Sequence, residues 1–582
     1  MSNPQRSGLP IILAAAIVQG WALYGLHHAI QEQHWPATRP GWLLALYAVF
    51  VFTPLTVQLL AAHADRARLW LTSAALGAAF FYFGWFHGGS VVGRDVEHFA
   101  RSGETFPAAF ELTLLWLIVL PFIQCRLASG AWVPGYRELF AVTWRNKLTL
   151  AEAGLFTGLF WLLLFLWQTL FHMLGIDYFR ELFERPIFVY PVTALVFGLA
   201  LHLIGSLEHW TRVVLEQLLS VLKWLGIVAA VILTCFTIAL VFKLPTLVFS
   251  GERAIGAQWL LWLIAVLVLL INAAFRDGSV EQPYPRAIGA ALRFVMPLLV
   301  IVALTAAYAL SVRTREYGLT VERFWGLVVA AFAILYATGY SWSAFASPGW
   351  LSGITRVNVI AAVLMILVIA SALTPMLSPY RLSADSQFRI AARAQTERWK
   401  SGRVTPFQYL RFYAGAYGEA RLRELADARG SHPAAVREQA AAALTEDYLT
   451  IWAPHFTDAD IDASLSRLTI YPAGQSLSPQ LRECLVLDLK SHRKFGSEPS
   501  AGVFVDLMGD GRQEFALLSR DNLARVYEQV DGHWRLVGDF YGGQGATDKS
   551  LASHLAAGEI GSAERPWRDL RIGPYTYQFS GR

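Results

Sequence analysis

The chain is 582 residues long, with 55% hydrophobic and only 16% charged residues, and its mean hydropathy is positive. A single water-soluble core of this length needs no such excess, so most of the apolar surface must meet lipid or other apolar segments. The formal charge of +5 is dispersed, without any run of five or six like charges, and this excludes the basic stripe of a nucleic-acid partner.

Reading for about 20 apolar residues per crossing predicts about eleven spans, near residues 9–29, 41–62, 69–88, 107–125, 151–174, 187–206, 221–242, 256–275, 290–311, 322–341 and 357–376. The expected fold class is an α-helical polytopic membrane protein with about eleven transmembrane helices over residues 1–376 and a soluble C-terminal α+β domain over 377–582. Gln5, Arg6 and Ser7 before a short apolar core look like the start of a secretory signal. The apolar run continues through Trp21, Leu23 and Leu26, however, so a retained first span is expected. Trp42, Trp70, Trp85, Trp132, Trp144 and Trp224 stand at or near predicted span ends, where an indole keeps its ring in the lipid boundary and its N–H wet. Cys125, Cys235 and Cys484 are too far apart to form a disulfide framework or a Cys-x-x-Cys metal site from sequence neighbours, and read as structural.

Lysine and arginine in short loops set the orientation. Residues 126–150 carry Arg126, Arg137, Arg145 and Lys147 against Glu138 alone, and Arg66 and Arg68 occupy the loop at 65–68, so both segments belong on the cytoplasmic side. Residues 91–106 and 175–186 mix arginines with acids and read as external. An odd number of spans then leaves the C-terminal domain in the periplasm of a bacterium. In residues 207–223, Glu208, Arg212, Glu216 and Ser220 recur at every fourth position, with Trp210, Val214, Leu218 and Val221 on another face. That is the pattern of an amphipathic helix lying in the interface or prolonging the next span.

The span middles almost lack ionisable groups, each of which would cost about 2.5–3.5 kcal/mol on insertion scales. Glu111, Glu152 and Arg293 fall within the first turn or so of their spans, near enough to an interface to stay hydrated. His172 and His202 sit near span ends with no carboxylate at helical spacing. Gln19, Gln58, Gln168, Thr234 and Asn272 form the mid-span polar set, of a kind that joins helices to one another. Transport, where it occurs, is therefore expected not to run on an intramembrane carboxylate. The external segment Arg94-Asp95-Val96-Glu97-His98 gathers two acids and a histidine. It would suit a membrane-surface transferase, but it has no distinctive spacing and reads first as a solvated charged loop, so catalytic residues stay unassigned.

Further along, Tyr308-Ala-Leu-Ser-Val-Arg313, Glu316-Tyr-Gly-Leu-Thr-Val-Glu-Arg323, Thr374-Pro-Met-Leu-Ser-Pro379, Ser383-Ala-Asp-Ser-Gln387, Leu410-Arg-Phe-Tyr-Ala-Gly415 and Tyr417-Gly418 form a series of short motifs. On these residues the chain from 283 to 425 resembles a bacterial membrane family known only as a domain of unknown function, DUF4153. The resemblance implies an inner-membrane location and supplies no catalytic residues. Read physically, 313–323 is a short loop in which Gly318 turns the chain, Thr320 caps the following span, and Glu322 and Arg323 anchor it.

In the tail, residues 384–400, 406–429 and 433–449 read as helices, and short strands begin at 503: 503–507, 515–518, 524–530 and 533–537. The last two are joined by Asp531-Gly532, a strong hairpin turn signal. Asp506-Leu-Met-Gly509-Asp510-Gly511-Arg-Gln-Glu514 resembles the calcium loop of extracellular FG-GAP propeller repeats, which implies weak Ca2+ binding by Asp506, Asp510 and Glu514. Met508 stands where that family has an oxygen ligand, and a single copy excludes a propeller; the alternative is a glycine-stabilised hairpin. No other cofactor is expected.

These features predict an integral inner-membrane protein with a periplasmic domain that acts as an envelope sensor or scaffold, more a non-enzyme than an enzyme. Its expected partners are the bilayer and an envelope protein or lipid. One alternative is a transporter or flippase-like protein without a charged coupling site, which a cavity lined by Gln58, Gln168 and Asn272 would favour. The other is a membrane-surface transferase using Asp95, Glu97 or His98.

Overall fold

The computed structural model describes residues 8–61, 66–91, 105–205, 207–249, 256–279, 282–346, 350–393, 404–427, 430, 432–445, 458–491, 499–519, 523–530, 532–541, 554–555, 557, 559, 570–572 and 575–577. Eleven helices are long and apolar enough to cross a membrane. They are α1 (Leu9–Gln31), α2 (Pro40–Leu60), α3 (Arg66–Val91), α4 (Thr105–Ser129), α5 (Tyr136–Met173), α7 (Pro186–Gly205), α8 (Glu208–Phe249), α9 (Ala257–Phe275), α10 (Arg286–Tyr317), α11 (Val321–Ala346) and α12 (Ile354–Ala372), with the short α6 (Tyr178–Glu184) between α5 and α7. The predicted number of spans matches this set.

Two of these helices are longer than the sequence pattern suggests. At 1.5 Å per residue, the 38 residues of α5 and the 42 of α8 each exceed the roughly 30 Å of a bilayer core. The basic segment expected as a loop at 126–150 is helical but for residues 130–135, and the amphipathic stretch at 207–223 is the first half of α8 rather than a separate interfacial helix. Charges at four-residue spacing support a helix as well as they support a solvated loop.

The chain divides into two compact units, Met1–Gln395 with Tyr409–Leu444, and Thr396–Gln408 with Thr445–Arg582. Hydropathy ends its apolar run at 376, but packing carries the first unit further, taking in α13 (Pro379–Ala391), α15 (Gly415–Ala426) and most of α16 (Ala434–Thr445). The helix expected at 406–429 is two helices, α14 (Pro406–Phe412) and α15, because Gly415 takes φ +59°. Helices of the first unit approach closely where small residues meet: a Cβ on Gly84 of α3 would lie 2.7 Å from the Leu44 carbonyl oxygen of α2. Polar side chains are tied across helices, Trp116 donating to Thr56 at 2.9 Å and Gln58 to Gln19 at 3.3 Å.

The turn between α10 and α11 behaves as its sequence predicts. Gly318 sits at φ +75°, ψ 172°, a region open only to glycine, and Thr320 Oγ1 accepts the Arg323 N–H at 3.3 Å. Arg323 Nη1 donates to the Tyr317 and Gly318 carbonyls, while Gln387 Nε2 of α13 donates to those of Tyr317 and Leu319 at 3.0 Å each. Ser386 and Tyr409 accept the N–H groups of Leu319 and Val321. Two motifs separated in sequence, together with Tyr409, thus close around one turn, and its exposed backbone finds partners.

In the second unit, α17 (Asp458–Ser466) and α18 (Pro479–Ser491) cover a five-stranded sheet of order β1-β2-β3-β4-β5. Its strands are β1 (Thr469–Tyr471), β2 (Pro499–Val505), β3 (Glu514–Ser519), β4 (Leu523–Val530) and β5 (His533–Tyr541); β1 runs parallel to β2 and the rest are antiparallel. A separate pair joins β6 (Leu570–Ile572) to β7 (Tyr575–Tyr577). Strands therefore begin at 469 rather than 503. The expected hairpin pairs Val530 with His533 across Gly532 at φ +80°, while Asp531 lies outside the described residues. Leu481, Leu485, Phe515, Leu517 and Tyr527 form the core. Within it, Asp488 accepts from Arg525 at 2.5 Å and from Tyr527 at 2.6 Å, all three side chains being buried. Losing one member of such a buried pair costs about 3–5 kcal/mol.

Gly318→Ala is expected to destabilise the first unit by about 1–3 kcal/mol through backbone strain alone. The new Cβ would also lie 2.5 Å from Ile390 Cδ1. Thermal unfolding of the purified chain checks this against Gly154→Ala, which meets nothing within 4 Å in α5 and should leave the melting temperature level or raise it. Equal melting of the two variants would contradict the account of the turn.

Candidate functional site

A cavity of about 690 Å³ lies where the early turns of α1, α5 and α8 meet the late turns of α2, α4 and α7 and the segment that follows α9. Successive crossing-length helices alternate in direction, so the ends that wall this cavity belong to one end of the bundle. Its polar lining combines the amides Gln58, Gln124 and Asn146 with Arg145, Arg212 and Arg276. Two acids, Glu216 and Asp277, join them.

The amides are positioned by one another. Asn146 Nδ2 donates to Gln124 Oε1 at 2.5 Å, joining α5 to α4, and Gln58 Nε2 donates to Gln19 Oε1, joining α2 to α1. Gln58 is 4% exposed, and among the described residues its Oε1 accepts no hydrogen bond. A buried acceptor left in that state costs about 1–3 kcal/mol.

Electrostatics at the cavity rim are uneven. Burial pushes the Asp277 carboxyl up, but the Ser279 hydroxyl and amide and the nearby Arg137 outweigh it and hold the group below its ordinary range. Asp277 lies 3.3 Å from Arg137 and 2.5 Å from the Ser279 hydroxyl, so its charge is largely engaged. Nearby, Tyr284 donates to the Lys223 carbonyl at 2.7 Å, and burial pushes its hydroxyl up to about 12.

Of the residues expected to mark a transport path, only Gln58 lines this cavity. Asn272 instead accepts from Asn358 at 2.6 Å, and Asn358 also bonds Tyr340 and Tyr136, a knot that joins α5, α9, α11 and α12. Gln168 lies toward the far end of α5. Glu111, expected to stay hydrated, is buried at 7% exposure beside Trp325, because α4 is packed among α2, α3, α5 and α12 in a way that hydropathy does not reveal. His172 does meet a carboxylate, Asp177 at 2.5 Å, supplied by the turn after α5 rather than by helical spacing. Asp95, Glu97 and His98 lie outside the described residues. Sequence reasoning missed Gln124, Asn146 and Arg276; the Arg276-Asp277-Gly278 turn signal was there to be read.

The candidate calcium ligands are spent on their own loop. Asp506 accepts the N–H groups of Gly509 at 2.6 Å and Gly511 at 2.9 Å, Asp510 accepts that of Arg512, and buried Glu514 accepts that of Leu507 at 2.7 Å. Among the described residues no group of three His, Cys, Asp or Glu side chains is arranged to hold a metal ion.

Comparison with protein-family models, curated proteins and solved structures finds no match to this chain.

The Gly511 N–H, with that of Gly509, holds the Asp506 carboxyl below its ordinary value. A carboxylate so held contributes stability that is complete above its unfolded pKa of about 3.9 and is lost as pH falls through the folded value. Melting temperatures of the wild type and Asp506→Asn should therefore differ most above about pH 4 and converge in stronger acid. A gap independent of pH would show that the charge plays no part in holding the loop.

Proposed function

We propose that the chain is an integral protein of the bacterial inner membrane that admits a polar ligand from the cytoplasmic side into the cavity at the N-terminal end of its bundle. It belongs with transporter- or flippase-like proteins that lack a charged coupling site. The observation that carries this reading is the 690 Å³ cavity, walled by the ends of crossing-length helices, whose lining gathers three arginines and three amides. Polar groups in such a place are costly unless they line water or a ligand. Arg126, Arg137, Arg145 and Lys147 stand at that same end, as cytoplasmic segments do. Exposed Trp42, Trp70, Trp85, Trp132 and Trp224 suit the two lipid boundaries.

With the basic segments read as cytoplasmic and eleven helices read as crossings, the C-terminal unit falls on the periplasmic side in this proposal. One observation supports the envelope sensor or scaffold reading beside transport: Gln387, Ser386 and Tyr409 grip the turn at Gly318, so the segment after the last crossing is built to register movement of α10 and α11. The DUF4153 resemblance agrees with an inner-membrane protein. Weak calcium binding by Asp506, Asp510 and Glu514 would require their oxygens to leave the backbone N–H groups they now hold.

Ala141 lines the cavity and supplies the test. In an Ala141→Cys chain whose own three cysteines are serine, a membrane-impermeant thiol reagent should modify the site in inverted inner-membrane vesicles and not in right-side-out spheroplasts. Modification from neither face, with full reaction after denaturation, would overturn the reading.

A further inference from the structure

Resting on that reading, we propose that the cavity is a phosphate site: the ligand it admits carries a phosphate group, and the phosphate is that of a phospholipid headgroup. Arg145, Arg212 and Arg276 converge on the cavity from α5, α8 and the turn after α9. Among the described residues none of these three side chains makes a hydrogen bond or an ion pair. Asp277 is engaged by Arg137 and Ser279, and among the described residues Glu216 makes no hydrogen bond or ion pair, so one acid of the lining stands against three guanidiniums. Guanidiniums bind phosphate oxygens in pairs through fixed forks, a geometry that a single chloride does not use.

Two further observations point to a ligand. The Arg276 backbone adopts φ +55°, ψ −130°, the first central position of a type II′ turn closed by the Gly278 N–H on the Phe275 carbonyl at 3.1 Å. Glycine is the ordinary occupant there, and strain of this kind persists where a side chain is being held for use. In addition, Gln58 Oε1 is an orphan acceptor on the cavity wall, suited to a hydroxyl or ammonium next to the phosphate. The lipid source follows from α8, whose cavity-lining residues Thr211, Arg212 and Leu215 alternate with Trp210, Val214 and Leu218, all exposed. One helix thus offers polar contacts to a headgroup and apolar ones to its acyl chains.

The test measures melting temperature of the full chain in detergent against dihexanoylphosphatidylglycerol, inorganic phosphate and dihexanoylglycerol, which lacks phosphate. A saturable rise with the phospholipid is expected, with free phosphate weaker and dihexanoylglycerol inactive. Arg145→Gln should weaken the phospholipid about tenfold, the value of one charge-assisted contact, and Arg145→Lys should weaken it less. Arg276→Gly separates binding from folding, since it should raise the melting temperature of the unliganded chain by relieving strain while weakening the phospholipid by a similar factor. Saturation by free phosphate at equal or lower concentration keeps the site and moves its source to a soluble phosphate, overturning the lipid assignment. Stabilisation by dihexanoylglycerol equal to that by the phospholipid, or affinity unchanged in both arginine variants, overturns the phosphate site. Inaccessibility of Ala141 removes the cavity reading; an accessible cavity indifferent to phosphate removes this inference alone.

Discussion

A polar group on a helix that is apolar on nearly every side must find its partner inside the bundle, and the rest of this structure is arranged around that constraint. An unmade hydrogen bond in such surroundings costs several kcal/mol (about 4–8 in a purely apolar reference). Threonines accordingly turn their hydroxyls to carbonyls four residues back, as Thr56, Thr157, Thr234 and Thr237 do. Longer polar side chains reach across to neighbouring helices: Gln19 with Gln58, Gln124 with Asn146, and Asn272 with Asn358 and Tyr340. Each pair satisfies itself and fixes a register between helices that apolar contact alone leaves free to slide.

The rule is relaxed at the cavity, as it is at Thr53, Ser73, His87 and Ser343, whose buried polar atoms also have no partner among the described residues. Among the described residues, three guanidiniums and the Gln58 carbonyl oxygen gather there without a hydrogen-bond partner, and the turn that brings Arg276 in holds a conformation better suited to glycine. Natural sequences depart from local consistency mainly at functional positions. At the other end of the bundle the opposite holds: the turn at Gly318 has nearly every backbone group answered by Arg323, Gln387, Ser386 or Tyr409. The Gly318 turn thus completes itself, whereas the cavity leaves charged groups for something else to complete.

How much of this the sequence reveals depends on the range of the interaction. The number of crossing-length helices, the Gly318 turn, the Thr320 cap and the hairpin at Gly532 are local and were legible from hydropathy and turn chemistry. The lengths of α5 and α8 were not, since Arg137, Arg145 and Lys147 look alike on a helix and in a loop. Helices α13 and α18 carried a readable start, Ser378-Pro379 and Ser478-Pro479, and Ser478 Oγ does accept the Leu481 N–H at 3.1 Å. The cavity was the least legible feature. Its walls come from six helices and a turn scattered between residues 8 and 279, and the packing of α1 on α2 and α7 and of α5 on α4, α7 and α8 assembles them. Burial of Glu111 under Trp325 escaped for the same reason.

The proposal that the cavity and the C-terminal unit face opposite sides of the membrane requires an odd number of crossings, and it stands or falls with that parity. The most direct measurement is the sidedness of a cysteine placed at exposed Arg512 in an otherwise cysteine-free chain. The account predicts that an impermeant thiol reagent modifies Arg512→Cys in spheroplasts with intact inner membranes. Modification only in inverted vesicles would make the number of crossings even and contradict it.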